Sequence, residues 1–440
     1  MIPESHKNRF VYHFCHIDNL AGIIKNGFLA TNHKSFPKTH RSIAAKGIQQ
    51  RRSEMKVTCG PKGVVHDYVP LYFGSRSPML LNVLQKKNVD QQEIIYFEFP
   101  ISIITREDVV FTNASANRNI PPNFFSDPEY LNQLDWDAID SKKWGNVDED
   151  FKQRRMAEML VHQKLPVTAA TRCVVWNQEI KDRVLSIAGS SAFPEVVFES
   201  HDRRHFYTNL ELKDDSSLII GPKAIRARFE LAYNDVVENS STEVSEGAEF
   251  ENVVSLLHGL REDFGCIPHT AELIGLRSEN GVHKYPVDIH TQQVVESLLK
   301  LTEFDKLDHR CKNIVETAAY LHDIGKGPRS RWDKNGGLQK VDPNHPVGAM
   351  PMIAEILTEH IRSIKKSDAR SLIKLVCYHD LIGDVLGQDR DVQQILEIAE
   401  NQSDLAMLFA IGKADVISLV PEWWKQDDAD ELYKYCSARI

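Results

Sequence analysis

Four residues in the second half of the chain have the types and order of a metal site. They are His290, the adjacent pair His322 and Asp323, and Asp415. Imidazole and carboxylate together suit Mn, Fe, Co, Ni or Zn. Adjacent His and Asp at a helix end can serve one ion, or let Asp323 bridge two. His290 and Asp415, from distant helical segments, would close the site. An ion held this way lowers the pKa of water and polarises a phosphoryl oxygen, so the chemistry in view is hydrolysis of a phosphate bond. A His-Asp dipeptide alone says little: His379-Asp380 repeats it, and Asp380 need not be a ligand. The weight lies in the order of the whole set.

The elements that must hold these residues read as helices. Apolar residues recur with helical spacing over 253–260, 291–301, 312–321, 348–364, 369–379 and 392–400. The second half is therefore expected to be mostly α. The first half is mixed. Segments 10–14, 69–73, 94–99 and 173–176 are strand-like. Leu20, Ile23 and Ile24 mark a short helix that Asp18 or Asn19 could cap and Asn26-Gly27 would stop. Segment 178–188 reads as helix, and 151–163 as a helix or a strand after a loop. Segment 35–66 reads as basic and irregular, with a Cys-Gly-Pro-Lys-Gly turn at 59–63. Segment 112–150, rich in Asn, Pro and Asp, reads as a long loop with short helical pieces. Residues 238–252 are acidic, Ser-rich and poor in large apolar side chains, which makes them the best linker candidate.

A chain of 440 residues is long enough for two or three domains with full cores. The seven cysteines include no CxxC pair, so neither a disulfide framework nor a zinc ribbon is implied, and a reducing cytoplasm fits. There is no run of 18 apolar residues, and the first ten residues lack the apolar core of a secretory signal. The net charge of −9 is uneven: residues 1–205 hold 27 Lys and Arg against 23 Asp and Glu, the remainder 26 against 39. A nucleic acid is therefore expected on the first half, which tolerates a polyanion.

The N-terminal blocks resemble known enzymes. YHFCHIDNLAGIIKNGFLA at 12–30 resembles the opening of ADP-ribosyltransferases. With HRSIAAKGIQQRRSEMKV at 40–57, CGPKGVVHDYVPLYFGSRSPML at 59–80 and RRMAEMLV at 154–161, it looks like the DarT family of DNA ADP-ribosyltransferase toxins. The resemblance implies that Glu158 holds a ribose hydroxyl and faces an oxocarbenium-like charge. It places Arg51 and Arg52 in the catalytic-arginine block, with Arg52 favoured. It implies NAD contacts from His13 and Asn19, and a nicotinamide end framed by Tyr72, Phe73 and Arg76. Taken singly, Glu158 would be a solvated helix charge, His13 a hydrogen-bonded core residue and the Arg doublet a surface pair. Their joint order favours the functional reading.

The C-terminal blocks resemble HD-domain phosphohydrolases over roughly 255–420. The stretches are HKYPVDIHTQQVV at 283–295, AAYLHDIGKG at 318–327, NHPVGAMP at 344–351, LVCYHDLIG at 375–383 and KADVISL at 413–419. The entry of this region is similar to the HD domain of PII uridylyltransferase/uridylyl-removing enzymes, with kinship to CCA-adding enzymes. The resemblance adds His345 and His379 as ligands of a second ion, and Lys326 as a phosphate contact.

The expectation is thus an α+β ADP-ribosyltransferase fold over 1–208, a connector with an acidic linker over 209–250, and an all-α HD domain over 251–440. The implied function is transfer of ADP-ribose from NAD to thymine or guanine in single-stranded DNA, in a toxin or phage-defence component. An HD domain with one or two divalent transition metals would hydrolyse a phosphate bond or regulate the transferase. The alternative is a transferase acting on RNA or protein, with an HD domain that senses a nucleotide. No membrane partner is expected.

Overall fold

Aromatic and β-branched residues build an eight-stranded sheet in the first of two compact units, Met1–Gly221 and Pro222–Ile440, of a computed structural model. The structure describes all residues except 44–45, 117–120, 142–147, 199–204, 209–216, 240–247, 280 and 283. The strands of the first unit are β1 (Phe10–His16), β2 (Phe28–Leu29), β3 (Tyr68–Tyr72), β4 (Ile94–Pro100), β5 (Val109–Thr112), β6 (Phe124–Phe125), β7 (Glu158–His162), β8 (Lys164–Leu165), β9 (Arg172–Val175) and β10 (Glu195–Phe198). The main sheet runs β10-β9-β4-β1-β3-β7-β5-β6, and β2 pairs with β8 separately. Every neighbour in the main sheet is antiparallel except β9 and β10, which are parallel. A parallel pair needs a crossover, and the helix Gln178–Ala188 supplies it.

Alternation along the strands sets the two faces. Val11, Leu71, Phe97, Phe99, Met159 and Val161 fill the larger core. Phe14, Tyr96 and Val174 face the other way, onto Leu80, Val83 and Leu84 of the helix Pro78–Gln85. Segment 151–163 contains both a helix and a strand. Asp148 caps the helix Glu149–Arg155 through a 2.7 Å bond from the Phe151 amide, and β7 begins at Glu158. The 35–66 region is less irregular than its composition suggests: Lys46–Glu54 is helical. Ile48 is the one large apolar residue there, so no apolar stripe marks the helix.

The second unit is largely helical. Its main helices are Val253–Glu262, Val287–Leu299, His309–Leu321, His345–Glu355, Lys366–Cys377 and Gln402–Leu419. Strands Arg277–Ser278 and Leu338–Gln339 form a short parallel pair. Helix Gln402–Leu419 buries nine of the eleven residues from Asp404 to Ala414, all but Ala406 and Lys413. A helix covered on most sides carries no 3.6-residue stripe, which hides it from a periodicity search. Within the expected connector, Pro222–Asn239 is a helix packed on His345–Glu355 and Lys366–Cys377. Much of the expected acidic linker, 240–247, lies outside the described residues.

Candidate active sites

In the first unit a buried ion pair joins two distant segments. Arg52 Nη1 donates to both Glu158 carboxylate oxygens at 2.9 Å. The Ala116 amide donates to Glu158 Oε1 at 2.9 Å, and the Glu158 amide donates to Thr112 Oγ1 at 3.2 Å. Glu158 is 1% exposed and Arg52 8%. Arg51, its neighbour on the same helix, is exposed. The helix therefore separates the doublet: one arginine turns in to the carboxylate and the other to solvent. Ala116 and Thr112 both fall within the expected long loop 112–150, where nothing in residue type announced them.

Tyr72 is the register partner of Glu158, and its ring stacks on Phe14 at 5.7 Å. Burial, and then the Glu158 carboxylate, push its phenol well above the ordinary range, with Arg52 opposing. Nearby lies a cavity of about 590 Å³, lined by His13, His16, Asn19, Arg41, Gln49 and His66 among others. Gln49 is one turn before Arg52, and Pro70, also in the lining, is two residues before Tyr72. The cavity wall and the ion pair therefore share a helix, and the strand of the wall, β3, is the sheet neighbour of β7, which carries Glu158. His13 Nδ1–H donates to the Pro70 carbonyl at 2.8 Å, and burial holds its pKa low despite that bond. The ring is neutral, and Nε2 remains an acceptor.

Asn19 does not cap the helix Leu20–Asn26 with its side chain. Its amide instead grips the backbone of Arg41, donating to the carbonyl at 2.9 Å and accepting from the N–H at 2.8 Å. His16 Nδ1 accepts the Asp18 amide at the helix entry. Asn19 thus fixes one wall of the cavity. Two expected residues lie elsewhere. Phe73 packs into the larger core against Phe111 and Trp136, on the face away from Phe14. Arg76 lies over the Tyr207 ring at 5.6 Å. Gln49 and His66 were missed in the sequence; a polar helix and a lone turn histidine carry no signal of a shared cavity.

In the second unit six expected residues converge. His290 comes from Val287–Leu299, His322 and Asp323 follow His309–Leu321, and His345 opens His345–Glu355. His379 follows Lys366–Cys377, and Asp415 lies on Gln402–Leu419. Asp323 Oδ2 is 3.7 Å from His290 Nε2 and 3.3 Å from His322 Nε2. Its other oxygen, Oδ1, is 3.2 Å from His345 Nε2. Asp415 Oδ1 is 3.3 Å from His290 Nε2. Two triads with metal-ligand spacing result, His290-His322-Asp323 and Asp323-His345-His379, with Asp323 common to both.

The donor atoms fit cations. His322, His345 and His379 give Nδ1–H to the carbonyls of Ala319, Asp342 and Val376 at 2.7, 2.9 and 2.9 Å. Each Nε2 is thereby left as a lone pair, the usual arrangement of ligating imidazoles. His345 and His379 bring these atoms within 3.2 Å of each other, an unfavourable approach unless a cation or proton lies between them. His322 Nε2 is buried with no hydrogen-bond partner. Burial, then His322 and His345, push His379 down to about 4, which keeps it in the neutral ligand form. Burial alone would raise Asp323, but Lys326 and His322 hold it well below the carboxylate range. Lys326 Nζ donates to Asp323 Oδ2 at 2.6 Å. A Cβ on Gly325 would lie 2.0 Å from the His345 carbonyl oxygen, so only glycine lets this turn meet the next helix.

Residues 12–207 match the family model described as ssDNA thymidine ADP-ribosyltransferase, DarT. A DNA ADP-ribosyl transferase of Thermus sp. (strain 2.9) is 35% identical over 190 residues, covering 42% of this chain and 89% of that protein. The chain belongs to the DarT family. The family match takes in His13, Asn19, Arg52, Tyr72 and Glu158. The solved structure of Thermus sp. 2.9 DarT in complex with ADP-ribosylated ssDNA is 32% identical, covers 45% of this chain and 96% of that one, and has a TM-score of 0.41. Residues 287–411 match the HD domain, a span that holds five of the six converging residues and stops short of Asp415. A bifunctional uridylyltransferase/uridylyl-removing enzyme of Vibrio atlanticus (strain LGP32) is 26% identical over 187 residues, 39% of this chain and 20% of that enzyme. Among the described residues, no helix is long and apolar enough to cross a membrane.

Proposed function

We propose that the first unit transfers ADP-ribose from NAD to a base of single-stranded DNA, thymine or guanine, in a cytoplasmic toxin or phage-defence component. The observation that carries this reading is the buried Arg52–Glu158 pair beside the 590 Å³ cavity. A buried ion pair seldom out-stabilises apolar residues of like size, so stability is a poor reason for this one. The cavity falls within the size range of small-molecule and cofactor sites. In the proposed reaction the bond from nicotinamide to ribose breaks, and nicotinamide leaves with the electron pair. A ring nitrogen of the base bonds to the ribose carbon. Glu158 stabilises the oxocarbenium-like charge and accepts the proton released by that nitrogen. Arg52 and the Ala116 amide hold the carboxylate in place, and His13 and Asn19 shape the NAD site. The DNA acceptor of the family and of its Thermus relative supports DNA as the acceptor.

The second unit is proposed to hold one or two divalent transition metals and to hydrolyse a phosphate bond, or to regulate the transferase through a nucleotide ligand. His290, His322, Asp323 and Asp415 would hold the first ion, and Asp323, His345 and His379 the second. Such ions supply activated water and charge neutralisation at phosphorus. Lys326, buried against Asp323, is the proposed phosphate contact. Labelled NAD offered separately with single-stranded DNA, RNA and protein tests the transferase. Label on DNA alone supports the reading; label on RNA or protein alone overturns it.

A further inference from the structure

The helix Lys46–Glu54 carries Arg52 but has little apolar grip of its own. Gln49 and Arg52, three residues apart, share one face. Arg52 reaches Glu158 at 2.9 Å, and Gln49 Oε1 accepts from His66 Nε2–H at 3.1 Å. His66 is where the chain returns to this helix. After Glu54 the backbone turns through 59–63 and comes back, with the Val57 amide on the Gly63 carbonyl and the Val65 amide on the Met55 carbonyl, both at 3.0 Å. Gly63 makes the turn at φ +89°, where a Cβ would sit 2.4 Å from Asp67 Oδ2. His66 is 8% exposed and lines the cavity. Its carbonyl accepts the Asn32 amide at 3.0 Å, and Asn32 Nδ2 donates to Asp67 Oδ1 at 2.9 Å. His66 therefore meets Asn32, the neighbour of the lining residue Thr31, with its backbone and the arginine-bearing helix with its ring.

We propose that His66 is a positioning residue: its hydrogen bond to Gln49 holds the helix Lys46–Glu54 so that Arg52 meets Glu158, and it ties that pair to the wall of the cavity. The role rests on the transferase reading of the Arg52–Glu158 pair. Without the tether the helix can shift, and displacements of about 1 Å in a reacting constellation cost up to about 10²-fold in rate.

Full-length His66→Ala, His66→Gln, Gln49→Ala and the His66→Ala/Gln49→Ala double variant test it. His66→Ala is expected to lower kcat for transfer about tenfold while KM for NAD moves less than about twofold. His66→Gln returns an N–H donor at similar reach and is expected to recover most of the rate. The double variant should be no slower than the slower single one. A raised KM with unchanged kcat would mean that His66 acts on NAD directly, and additive losses would mean that no tether exists; either overturns the proposal. A second readout does not need activity. Urea unfolding of His66→Ala, Arg52→Ala and their combination should give non-additive changes; additivity overturns the coupling. A wild-type chain without transferase activity would sink the reading of the pair, while this unfolding cycle still decides the tether.

Discussion

Arg52→Ala removes the guanidinium from a carboxylate that is 1% exposed. Among the described residues, Glu158 then keeps one side-chain bond, from the Ala116 amide to Oε1. Breaking one side of a buried ion pair typically costs about 3–5 kcal/mol, because the remaining charge is stranded. In a unit the size of Met1–Gly221, each kcal/mol lowers Tm by about 2–4 °C, so its transition should fall by roughly 6–20 °C. Removing both partners strands no charge, so Arg52→Ala/Glu158→Ala should lose less than the two single losses together. Arg51 is exposed, and Arg51→Ala should change stability by no more than about 0.5 kcal/mol. If Arg52 places Glu158 for catalysis, its loss should also slow transfer by about 10²–10³-fold, the usual scale for one electrostatic stabiliser. Calorimetric scanning reads the first effect and labelled NAD the second. The reasoning is refuted if Arg51→Ala proves as damaging as Arg52→Ala, or if the double variant shows strictly additive loss.

Three further outcomes are expected. Glu158→Ala should abolish transfer while NAD still binds, as titration calorimetry would show; near-normal transfer would remove Glu158 from the site. Affinity of the protein for a single-stranded oligonucleotide should fall with salt, with a log–log slope near −0.7 per phosphate neutralised; a flat dependence would argue for a different acceptor. Elemental analysis should find about one or two transition-metal ions per chain, in keeping with the two triads that share Asp323. Asp323→Ala should strip the most metal and His379→Ala only the second ion, and a chelator should block phosphohydrolysis while sparing transfer. Metal-free protein that added Mn or Co leaves inactive would leave the second unit a scaffold or sensor.

The convergence of the His and Asp residues in the second unit was largely legible because its signal sits in residue types. Of the six residues named from order and resemblance, five gather around the sixth, Asp323. The strands that position the first site were legible where β-branched and aromatic residues run together, as in β1, β3 and β4. Other parts were not. The helix bearing Arg52 is nearly all polar, and Gln402–Leu419 is buried on most sides, so neither shows a one-sided stripe. The choice between Arg51 and Arg52 depends on which way a helix faces, which a doublet does not encode. By residue type Asp18 or Asn19 could cap the first helix, yet the Asn19 amide serves the backbone of Arg41, a partner 22 residues away. Phe73 adjoins Tyr72 in sequence, but strand alternation sends it to the opposite face. Gln49 and His66 become visible once the turn at 59–63 brings the chain back on itself.

The central claim is that NAD-derived ADP-ribose ends on a DNA base. Mass spectrometry of a mixed-sequence single-stranded oligonucleotide after incubation with NAD and the full chain tests it most directly. The account predicts one ADP-ribose added to a thymine or guanine base by the wild-type chain and none by Glu158→Ala. An unmodified oligonucleotide alongside modified RNA or protein, or an adduct formed equally by Glu158→Ala, would contradict it.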